Sequence, residues 1–520
     1  MWPEKLRSEG TTRLLFPIII YLLAISNIAI HLVFNGNLEY HRDELLYFSL
    51  GRHPDFGFAT VPPMIGWIAW FMQTLFGYSL FAVRLFPAVM SGIMVLVVSD
   101  LARELGGKKY AMALAATGFM ISIFALRTFL LFQPVHLDLL FWTFTFYLIV
   151  KYINTEDDKY LLIFGIVAGL SLLNKYLIGF LFVIILVIIP FTVHRKIFRK
   201  KMFWYGILAG GVIFMPNLIW QIANGLPVIN HMSELARTQL VNVDRTAFLI
   251  EQIIMPGAAS FLTVAGLFLL LISKKSQKTQ FLGFIVMIVI LGLMLMRGKS
   301  YYTIGVFPLL ISAGAVFYES VFKKWYTRTV FITFLVLINI FLLPFGLPVY
   351  KAAGLIKYFN TVESKYGFDF GRTFEDGTKH SLPQDYADML GWEELTKITD
   401  KAWRMIPDKK SAIIYCENYG QAGAITVIGK KYGLPEAISF HESFRYWIPS
   451  EFDPDVTSFI YINDELGEDV NNLFGKIIKV GSISNPDARE YGTSVYLCEK
   501  PVMSFNRFWK ERLKQLDKEN

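Results

Sequence analysis

Twelve charge-poor apolar runs dominate the sequence and leave few folds open to the chain. A membrane-crossing helix needs roughly 20 apolar residues, and most of the runs approach that length. They lie at 14–34, 61–80, 81–102, 110–126, 136–150, 160–174, 176–193, 202–222, 256–273, 279–296, 301–320 and 329–349. Hydrophobic residues make up 54% of the chain and charged residues only 18%, whereas soluble domains average about 25% charged residues. The composition argues against a water-soluble enzyme and against a disordered chain.

Short basic clusters between the apolar runs indicate the topology. They are Lys5/Arg7/Arg13, Arg103/Lys108/Lys109, Lys151/Lys159, Arg195/Lys196/Arg199/Lys200/Lys201, Lys274/Lys275/Lys278 and Lys323/Lys324/Arg328. Cytoplasmic loops carry an excess of Lys and Arg, so an even number of crossings separates each consecutive pair of clusters. This dispersed pattern is typical of membrane topology, and it argues against a nucleic-acid partner despite the formal charge of +8.

The requirement for an even number of crossings indicates that the run at 61–80 does not cross the membrane. Three runs lie between Arg13 and Arg103, so one of them does not cross. The run at 61–80 opens with Val61-Pro62-Pro63, and proline favours the start of a helix. We predict a helix at the outer surface there.

The same rule requires residues 160–193 to cross twice. A single helix of that length would be about 51 Å long, against a hydrocarbon core of about 30 Å. The chain therefore turns near Asn174-Lys175. Lys175 is then predicted at the outer ends of two short helices, where a lysine faces water or an anion and avoids burial at mid-membrane.

These assignments predict an α-helical polytopic membrane protein with about 11 transmembrane helices. The N-terminus is predicted to be cytoplasmic, and no cleavable signal peptide is evident, because no small-residue cleavage site follows the run at 14–34. Long outer loops are expected at 35–80 and 223–255. Long outer loops opposite short inner ones place the working face outside, in what we expect to be a bacterial inner membrane.

From about residue 351 the composition changes, because charges become frequent and no further spanning run appears. We therefore predict a membrane domain over 1–350 and an extracytoplasmic soluble α/β domain over 351–520. Short β-like runs lie at 411–416, 437–440, 458–462, 477–480 and 494–497, with a helix at 421–432 closed by Gly433. Cys416 and Cys498 leave two alternatives open: one disulfide or two buried thiols.

Two adjacent carboxylates, Asp43 and Glu44, follow the first apolar run. One alternative is a solvated pair that caps a surface helix. The other is a catalytic carboxylate at the membrane surface. Adjacent side chains point in different directions on a helix, so if one acts as a base, the other orients the loop or binds metal. Arg52 and Asp55 follow in the same loop.

Several motifs lie at the predicted outer ends of helices. Their order along the chain is similar to that of a known family. They are Asp43-Glu44, Pro62-Pro63, Arg84-Leu85-Phe86-Pro87, Asn174-Lys175-Tyr176, Pro216-Asn217-Leu218-Ile219-Trp220 and Gly298-Lys299-Ser300-Tyr301-Tyr302. Over roughly 14–345 the chain resembles the membrane glycosyltransferases of the C-type fold that use polyprenyl-phosphate sugars. This superfamily includes protein O-mannosyltransferases and lipid A aminoarabinose transferases. Residues 416–424 resemble the soluble domain of many bacterial members, for which no catalytic role is expected.

One departure from the family pattern concerns metal binding. Relatives often carry an acidic residue or His just before the Pro-Pro pair, where this chain has Thr60 and Val61. The resemblance allows a divalent metal as a cofactor, but no ligand set is evident. Asp55 and His231 are the weak candidate ligands.

The chemistry of such a transfer explains the residue types. An acceptor hydroxyl needs a base, for which Asp43 and Glu44 are the candidates. The departing lipid phosphate needs cations, for which Lys175, Arg297 and Lys299 are the main candidates, against the alternative of lipid headgroup contact. Other candidate substrate- or phosphate-binding residues are Arg52, Asp55, Tyr301 and Tyr302; Arg127, Arg237 and Arg245 are expected to be structural. Asp138 is either a helix-start acid or a supporting residue near the active cavity.

The sequence therefore predicts a glycosyltransferase that moves a sugar from a polyprenyl-phosphate donor to a hydroxyl of a lipid such as lipid A, a glycan or a protein on the non-cytoplasmic face. The resemblance and a single displacement imply inversion. The alternative is a transporter or lipid flippase, which would be expected to show internal repeats and ionisable residues at mid-membrane. A non-catalytic scaffold would leave the placement of Asp43, Glu44 and Lys175 unexplained. Membrane lipids are expected partners in every case.

Overall fold

A computed structural model describes residues 17–272, 278–369, 371–374 and 377–519 of the chain. The basic cluster at 5–13 and residues Lys274 and Lys275 lie outside the described residues. The helices before residue 350 are α1 (Ile18–Phe34), α2 (Arg42–Leu50), α3 (Met64–Phe76), α4 (Leu80–Glu104), α5 (Lys109–Ile121), α6 (Ile123–Thr128), α7 (Pro134–Thr155), α8 (Lys159–Leu172), α9 (Ile178–Ile188), α10 (Lys201–Ala223), α11 (Pro227–Thr238), α12 (Arg245–Ile254), α13 (Ser260–Ile272), α14 (Gln280–Leu295), α15 (Phe307–Val321) and α16 (Trp325–Gly346).

Each of the twelve apolar runs contains one of these helices, and the polytopic helical fold is confirmed. Four described spans are long and apolar enough to cross a membrane, namely α4, α10, the segment Ser300–Val321 and α16. A fifth is obtained if α12 and the segment Gly257–Ile272, which meet at 91°, count as one bent span. Shorter apolar helices account for most of the other runs, so the count of eleven crossings stays a prediction.

The two segments that the charge pattern singled out have the expected local structure. The Pro62-Pro63 pair is followed at once by α3, a helix of 13 residues. Large apolar side chains on α3, among them Trp70 and Phe71, are about half exposed. The chain breaks between α8 and α9, and Lys175 lies in that break. The predicted turn is present, whereas the position of α3 at the outer surface stays a prediction.

Glycines allow two pairs of helices to pack at backbone contact. A Cβ atom on Gly165 of α8 would lie 2.1 Å from the backbone of Gly206 on α10. A Cβ atom on Gly266 of α13 would lie 1.9 Å from the carbonyl oxygen of Leu310 on α15. Small residues at such crossings are typical of helices that associate within a membrane.

The described basic clusters meet at one end of the helical bundle. Lys151 forms an ion pair with Glu104 at 2.6 Å, and the Arg328 guanidinium lies 4.7 Å from the centre of the Tyr110 ring. The His194 ring nitrogen lies 2.8 Å from the carbonyl oxygen of Lys278. The opposite end carries the long connections and the C-terminal domain. That the basic end is cytoplasmic stays a prediction.

The C-terminal domain combines helices with a four-stranded mixed sheet. Its elements are α17 (Ala352–Tyr366), α18 (Gln384–Ala387), α19 (Trp392–Met405), β1 (Ala412–Cys416), α20 (Tyr419–Val427), β2 (Ser458–Asn463), α21 (Glu468–Leu473), β3 (Phe474–Ser482), β4 (Ser494–Pro501) and α22 (Phe505–Glu519). The strand order is β1-β2-β4-β3, in which β1 and β2 are parallel and the other pairs are antiparallel. Four of the five predicted strands are present. The run at 437–440 forms only an isolated bridge between Ile438 and Tyr415.

The two cysteines are buried and free. Cys416 ends β1 and Cys498 lies on β4, and β2 separates these strands, pairing Ile462 with Cys416 and Phe459 with Cys498. Strands two apart in a sheet are separated by roughly 9–10 Å, too far for a disulfide. Of the two alternatives, the structure has the pair of buried thiols.

One hydrophobic core joins the first outer loop to the C-terminal domain. Leu45 and Leu46 of α2 pack in the same buried cluster as Trp392 of α19 and Ala422 of α20. A Cβ atom on Gly423 of α20 would lie 2.8 Å from Leu45. The C-terminal domain is therefore not a free appendage, because part of its core belongs to the loop that carries the acidic pair.

Candidate active site

The first turn of helix α2 points the two adjacent carboxylates in different directions. His41 caps the helix: its Nδ1 accepts from the backbone N–H of Asp43 at 3.1 Å, and the backbone N–H of His41 donates to Glu44 at 2.9 Å. This capping box fixes the first turn of α2. Glu44 is fully buried, whereas Asp43 is partly exposed. The two side chains therefore have different surroundings.

Glu44 lies in a closed ion pair with Arg84 of α4. Both side chains have no exposed surface, and Arg84 Nη2 lies 2.7 Å from Glu44 Oε2. The backbone N–H of Phe132 also donates to Glu44, at 3.0 Å. Burial alone would raise the pKa of Glu44, but Arg84 and the backbone donors lower it below its usual value. This position corrects the expectation that Glu44 is a candidate base: it anchors the loop, because its oxygens are already occupied by donors and no solvent reaches them.

Asp43 is held by partners from two other parts of the chain. Gln133, just before α7, donates to Asp43 Oδ2 at 3.1 Å. Tyr419, the first residue of α20, donates its hydroxyl proton to Asp43 Oδ1 at 2.9 Å. The sequence assigned no role to either residue. The capping pattern Asn418-Tyr419-Gly420-Gln421 is readable as a helix start, but nothing in it shows that the helix meets Asp43.

Lys175 lies among groups that leave its ammonium partly accessible. Lys175 Nζ is 3.8 Å from Asp138 Oδ2, and the Lys175 side chain is 22% exposed. The same nitrogen lies 5.5 Å from the centre of the Tyr301 ring and 5.4 Å from that of Tyr302. Trp142 donates to the other Asp138 oxygen at 3.1 Å. Of the two alternatives for Asp138, these contacts favour the supporting one.

Asp43 and Lys175 are connected through short contacts. Asn174, next to Lys175, donates to the carbonyl oxygen of Pro134 at 2.9 Å, and Pro134 follows Gln133, which binds Asp43. On the other side, Tyr301 is close enough to Asp43 to be influenced by its charge. A carboxylate and an ammonium that come from distant parts of the sequence thus border one region of the molecule.

Arg52 and Asp55 have partners within the protein, and their predicted contact with substrate stays a prediction. Arg52 forms an ion pair with Glu436 of the C-terminal domain at 2.9 Å and donates to the hydroxyl of Tyr78 at 3.2 Å. Asp55 Oδ2 accepts from the indole of Trp220 at 2.8 Å. Both residues therefore hold the first outer loop in place.

Hydrogen bonds also explain two of the motifs that carried the resemblance. The hydroxyl of Tyr176 donates to Asn217 at 2.8 Å, and Asn217 donates to the carbonyl oxygen of Phe56 at 2.7 Å. The turn after α8, the end of α10 and the first outer loop are thereby tied together. These bonds hold the turn that carries Lys175 against the first outer loop.

Arg297 and Lys299 lie further from the acidic pair. Arg297 is exposed and donates to the carbonyl oxygen of Val241 in the outer loop at 223–255. Lys299 is half-buried and close enough to His231 to lower the pKa of that histidine, in addition to the larger effect of burial. Their predicted contact with phosphate stays a prediction.

The three arginines that were expected to be structural have different surroundings. Arg127 forms an ion pair with Asp385 of α18 at 2.8 Å, so it links α6 to the C-terminal domain. Arg237 and Arg245 lie on exposed faces of α11 and α12.

The described residues offer no fit for a divalent metal. Over 17–272, 278–369, 371–374 and 377–519, no three His, Cys, Asp or Glu side chains are grouped to hold an ion. Asp55 accepts a hydrogen bond from the Trp220 indole at 2.8 Å, and a metal role for Asp55 or His231 stays a prediction.

Comparisons with known proteins concern the family and the fold of the chain. Residues 60–220, about a third of the chain, match the family model described as dolichyl-phosphate-mannose-protein mannosyltransferase. No curated protein sequence matches the chain significantly. The crystal structure of ArnT from Cupriavidus metallidurans bound to undecaprenyl phosphate is similar with a TM-score of 0.60 at 14% identity, covering 92% of this chain and 97% of that one.

The chain has the C-type glycosyltransferase fold. The apo structure of the same ArnT gives a TM-score of 0.59 at 14% identity, with the same coverage of both chains. The oligosaccharyltransferase of Archaeoglobus fulgidus gives 0.45 at 12% identity, covering 85% of this chain and 67% of that one. The fold and the family match together favour a glycosyltransferase over the transporter alternative.

Proposed function

We propose that this glycosyltransferase moves a sugar from a polyprenyl-phosphate donor to an acceptor hydroxyl at the non-cytoplasmic face of a bacterial inner membrane. The observation that carries the proposal is the pair of opposite charges bordering one region. Asp43 is only partly covered by Gln133 and Tyr419. Lys175 keeps donor capacity, because its nearest carboxylate oxygen lies 3.8 Å away.

The reaction assigns one role to each charge. The acceptor oxygen attacks the anomeric carbon, the bond from that carbon to the phosphate oxygen breaks, and the phosphate leaves with the bonding pair. Asp43 accepts the proton of the acceptor hydroxyl, which is worth about 10²–10⁴-fold in rate. Lys175 stabilises the negative charge of the departing phosphate. A single displacement of this kind inverts the anomeric configuration.

The donor class is supported by the solved relative of the same fold. ArnT from Cupriavidus metallidurans is bound to undecaprenyl phosphate in its crystal structure. In this chain, Lys175 lies beside the aromatic rings of Tyr301 and Tyr302. An ammonium at a helix end, flanked by amphipathic tyrosines, suits a phosphate at the membrane interface. The acceptor belongs to lipid A, to another glycan or to a protein.

The first experiment identifies the sugar and the acceptor. A strain lacking the gene is compared with its parent by mass spectrometry of lipid A, surface glycans and membrane proteins. Loss of one sugar substituent from one acceptor class is the expected result. If lipid A, surface glycans and membrane proteins all keep their sugars, and the lipid-linked sugars are also unchanged, the proposed transferase activity is contradicted.

The second experiment tests Asp43 as the base, in the purified full chain with the lipid-linked sugar found above. Asp43→Asn keeps shape and removes basicity, so turnover is expected to fall at least about a hundredfold, the low end for a lost general base. Binding of undecaprenyl phosphate is expected to stay close to wild type, because the acceptor is the partner of Asp43. Asp464→Asn, on an exposed turn, is the matched control. Near-full turnover in Asp43→Asn would remove the main chemical support for the proposal.

A further inference from the structure

A loop of the C-terminal domain lies directly on the first outer loop. The residues concerned form the 3-10 helix Glu442–Trp447. The backbone N–H of Ala59 donates to the hydroxyl of Ser443 at 3.1 Å, and the hydroxyl of Thr60 donates to Glu442 Oε2 at 2.8 Å. Trp447 stacks on His53 with ring centres 4.1 Å apart. These contacts attach residues 442–447 to the segment that precedes α3.

The backbone of Glu442 is held in a conformation that side chains rarely adopt. Its φ is +56°, in the left-handed region, where a residue with a Cβ atom is strained. Such strain persists only where the surrounding contacts impose it, and the bonds to Ala59 and Thr60 supply those contacts. The loop thus presents one carboxyl side chain at a fixed place beside the first outer loop.

The titratable groups around Glu442 come from four parts of the chain, namely α2, α11, α20 and its own 3-10 helix. Asp43 on α2 and Glu234 on α11 are negative neighbours, and Arg445 on its own 3-10 helix is a positive one. The hydroxyls of Tyr47 and Tyr419 are also close enough to be influenced by the charge of Glu442. The residue before Glu442, His441, packs against Tyr419 with ring centres 5.2 Å apart, and the Tyr419 hydroxyl donates to Asp43. Glu442 therefore borders the same region as the proposed base.

Tyr419 reaches that region from the start of α20. Its hydroxyl donates to Asp43, and the Arg42 guanidinium lies 4.4 Å from the centre of its ring. A Cβ atom on the next residue, Gly420, would lie 2.8 Å from Arg42. The absence of a side chain at position 420 lets α20 approach closely enough for Tyr419 to bind Asp43.

We propose that the C-terminal domain completes the acceptor side of the active site, with Tyr419 positioning the Asp43 carboxylate and Glu442 hydrogen bonding the acceptor. This inference rests on the proposed glycosyl transfer and goes beyond the expectation that the domain has no catalytic role. The acceptor binds between the membrane helices and the C-terminal domain, so it contacts both.

The protonation of Glu442 gives the proposal a pH signature. Burial raises the pKa of Glu442 to about 7; Asp43 and Glu234 act in the same direction, while Thr60 and Arg445 oppose it. Below that pH the neutral acid donates its proton in a hydrogen bond to the acceptor. Above it a second negative charge appears beside Asp43 and the donor proton is lost, so acceptor binding weakens.

The test of Glu442 uses the transfer assay of the purified full chain between pH 6 and pH 8.5, about one to two units on either side of a pKa near 7. The acceptor KM of the wild type is expected to rise as the pH increases through about 7. Glu442→Gln remains a neutral donor at every pH, so its acceptor KM is expected not to change between pH 6 and pH 8.5. Glu465→Gln, on an exposed turn, is the control. A KM profile in Glu442→Gln that still rises, or a kcat at least about a hundredfold lower as for a lost base, would overturn the role of Glu442.

The test of Tyr419 uses Tyr419→Phe, which keeps the ring under Arg42 and removes only the hydroxyl. Loss of one hydrogen bond to a charged group is expected to lower kcat about ten- to a hundredfold, with the Kd for undecaprenyl phosphate unchanged. Tyr491→Phe, at an exposed site, is the control. An unchanged kcat would show that Tyr419 is only structural and would overturn its positioning role.

The outcomes separate this inference from the proposed function. If the wild type transfers sugar but both variants match it at every pH, the C-terminal domain has no part in the site and the transferase stands. If the wild type transfers no sugar at all, both proposals fail together. Thermal unfolding of each variant shows whether a loss of transfer comes from a loss of folding.

Discussion

Two ion pairs border the region of Asp43, and they differ in geometry although both join a carboxylate to a cation. Arg84 and Glu44 have no exposed surface and meet through several short hydrogen bonds. Lys175 and Asp138 lie 3.8 Å apart, with 22% and 8% of their side chains exposed. The first pair is closed on all sides, whereas the second leaves the ammonium able to accept another anion.

The contrast shows that a charge near a candidate site is not by itself a binding residue. A guanidinium matched by a carboxylate and by backbone carbonyls has no donor left to offer. Arg84 also donates to the carbonyl oxygens of Asn35 and Glu39, so its role is to hold the loop. Lys175 has a distant carboxylate and two aromatic rings, which stabilise a cation without occupying its N–H groups.

The largest effect that would test this contrast is the loss of Arg84. In Arg84→Met, Glu44 is left as a buried charge without its partner, and the free energy of unfolding is expected to fall by about 3–5 kcal/mol. Unfolding by denaturant in detergent measures the change. The double variant Glu44→Gln/Arg84→Met removes both charges and is expected to recover part of the loss. An unfolding free energy of Arg84→Met equal to wild type would contradict the structural role.

The pH dependence of stability also tests the closed ion pair between Arg84 and Glu44. The folded-state pKa of Glu44 is lowered, so its contribution to stability is present above its unfolded pKa of about 4.3. That contribution is lost as the pH falls below this value. Wild type is expected to lose stability on acidification more steeply than Glu44→Gln. Parallel curves for the two proteins would show that the ion pair adds no pH-dependent stability.

A smaller effect on stability, but a clear one on binding, is expected for Lys175. Lys175→Met keeps the length of the side chain and removes the charge, so the Kd for undecaprenyl phosphate is expected to rise about ten- to a hundredfold. Calorimetric titration of the purified full chain measures this change. Lys323→Met, at the basic end of the bundle, is the control. An unchanged Kd would show that Lys175 does not bind the phosphate and that its role is structural, like that of Arg84.

The smallest effect is expected for Arg52. Its ion pair with Glu436 is about a quarter exposed, and His53 shares the same carboxylate at 2.7 Å. Arg52→Met is therefore expected to lower the unfolding free energy by only about 0.5–1.5 kcal/mol and to leave the Kd for undecaprenyl phosphate unchanged. A tenfold increase in this Kd would instead show that Arg52 binds the phosphate.

The sequence by itself determined the polytopic helical fold and the break between helices in which Lys175 lies. Apolar runs separated by basic clusters predict helices because a lipid environment requires every backbone hydrogen bond to be made within the segment. The length of 160–193 predicts a turn for a similar reason, since one helix would be far longer than the bilayer core. The helix predicted at 421–432 and closed by Gly433 corresponds to most of α20 and the 3-10 helix Ile428–Tyr432 that follows it, with Gly433 in the left-handed conformation. This was readable because glycine caps are local features.

Only the tertiary structure decided which side chains face each other. Asp43 and Glu44 are neighbours in sequence, yet the turn of α2 directs Glu44 into a buried ion pair and leaves Asp43 to Gln133 and Tyr419. Tyr419 lies 376 residues from Asp43, and no local pattern records a contact at such separation. The strained backbone of Glu442 is likewise imposed by the loop beneath it. Periodicity and capping depend on neighbouring residues and can be read directly, whereas the partners of a charge depend on how the whole chain packs.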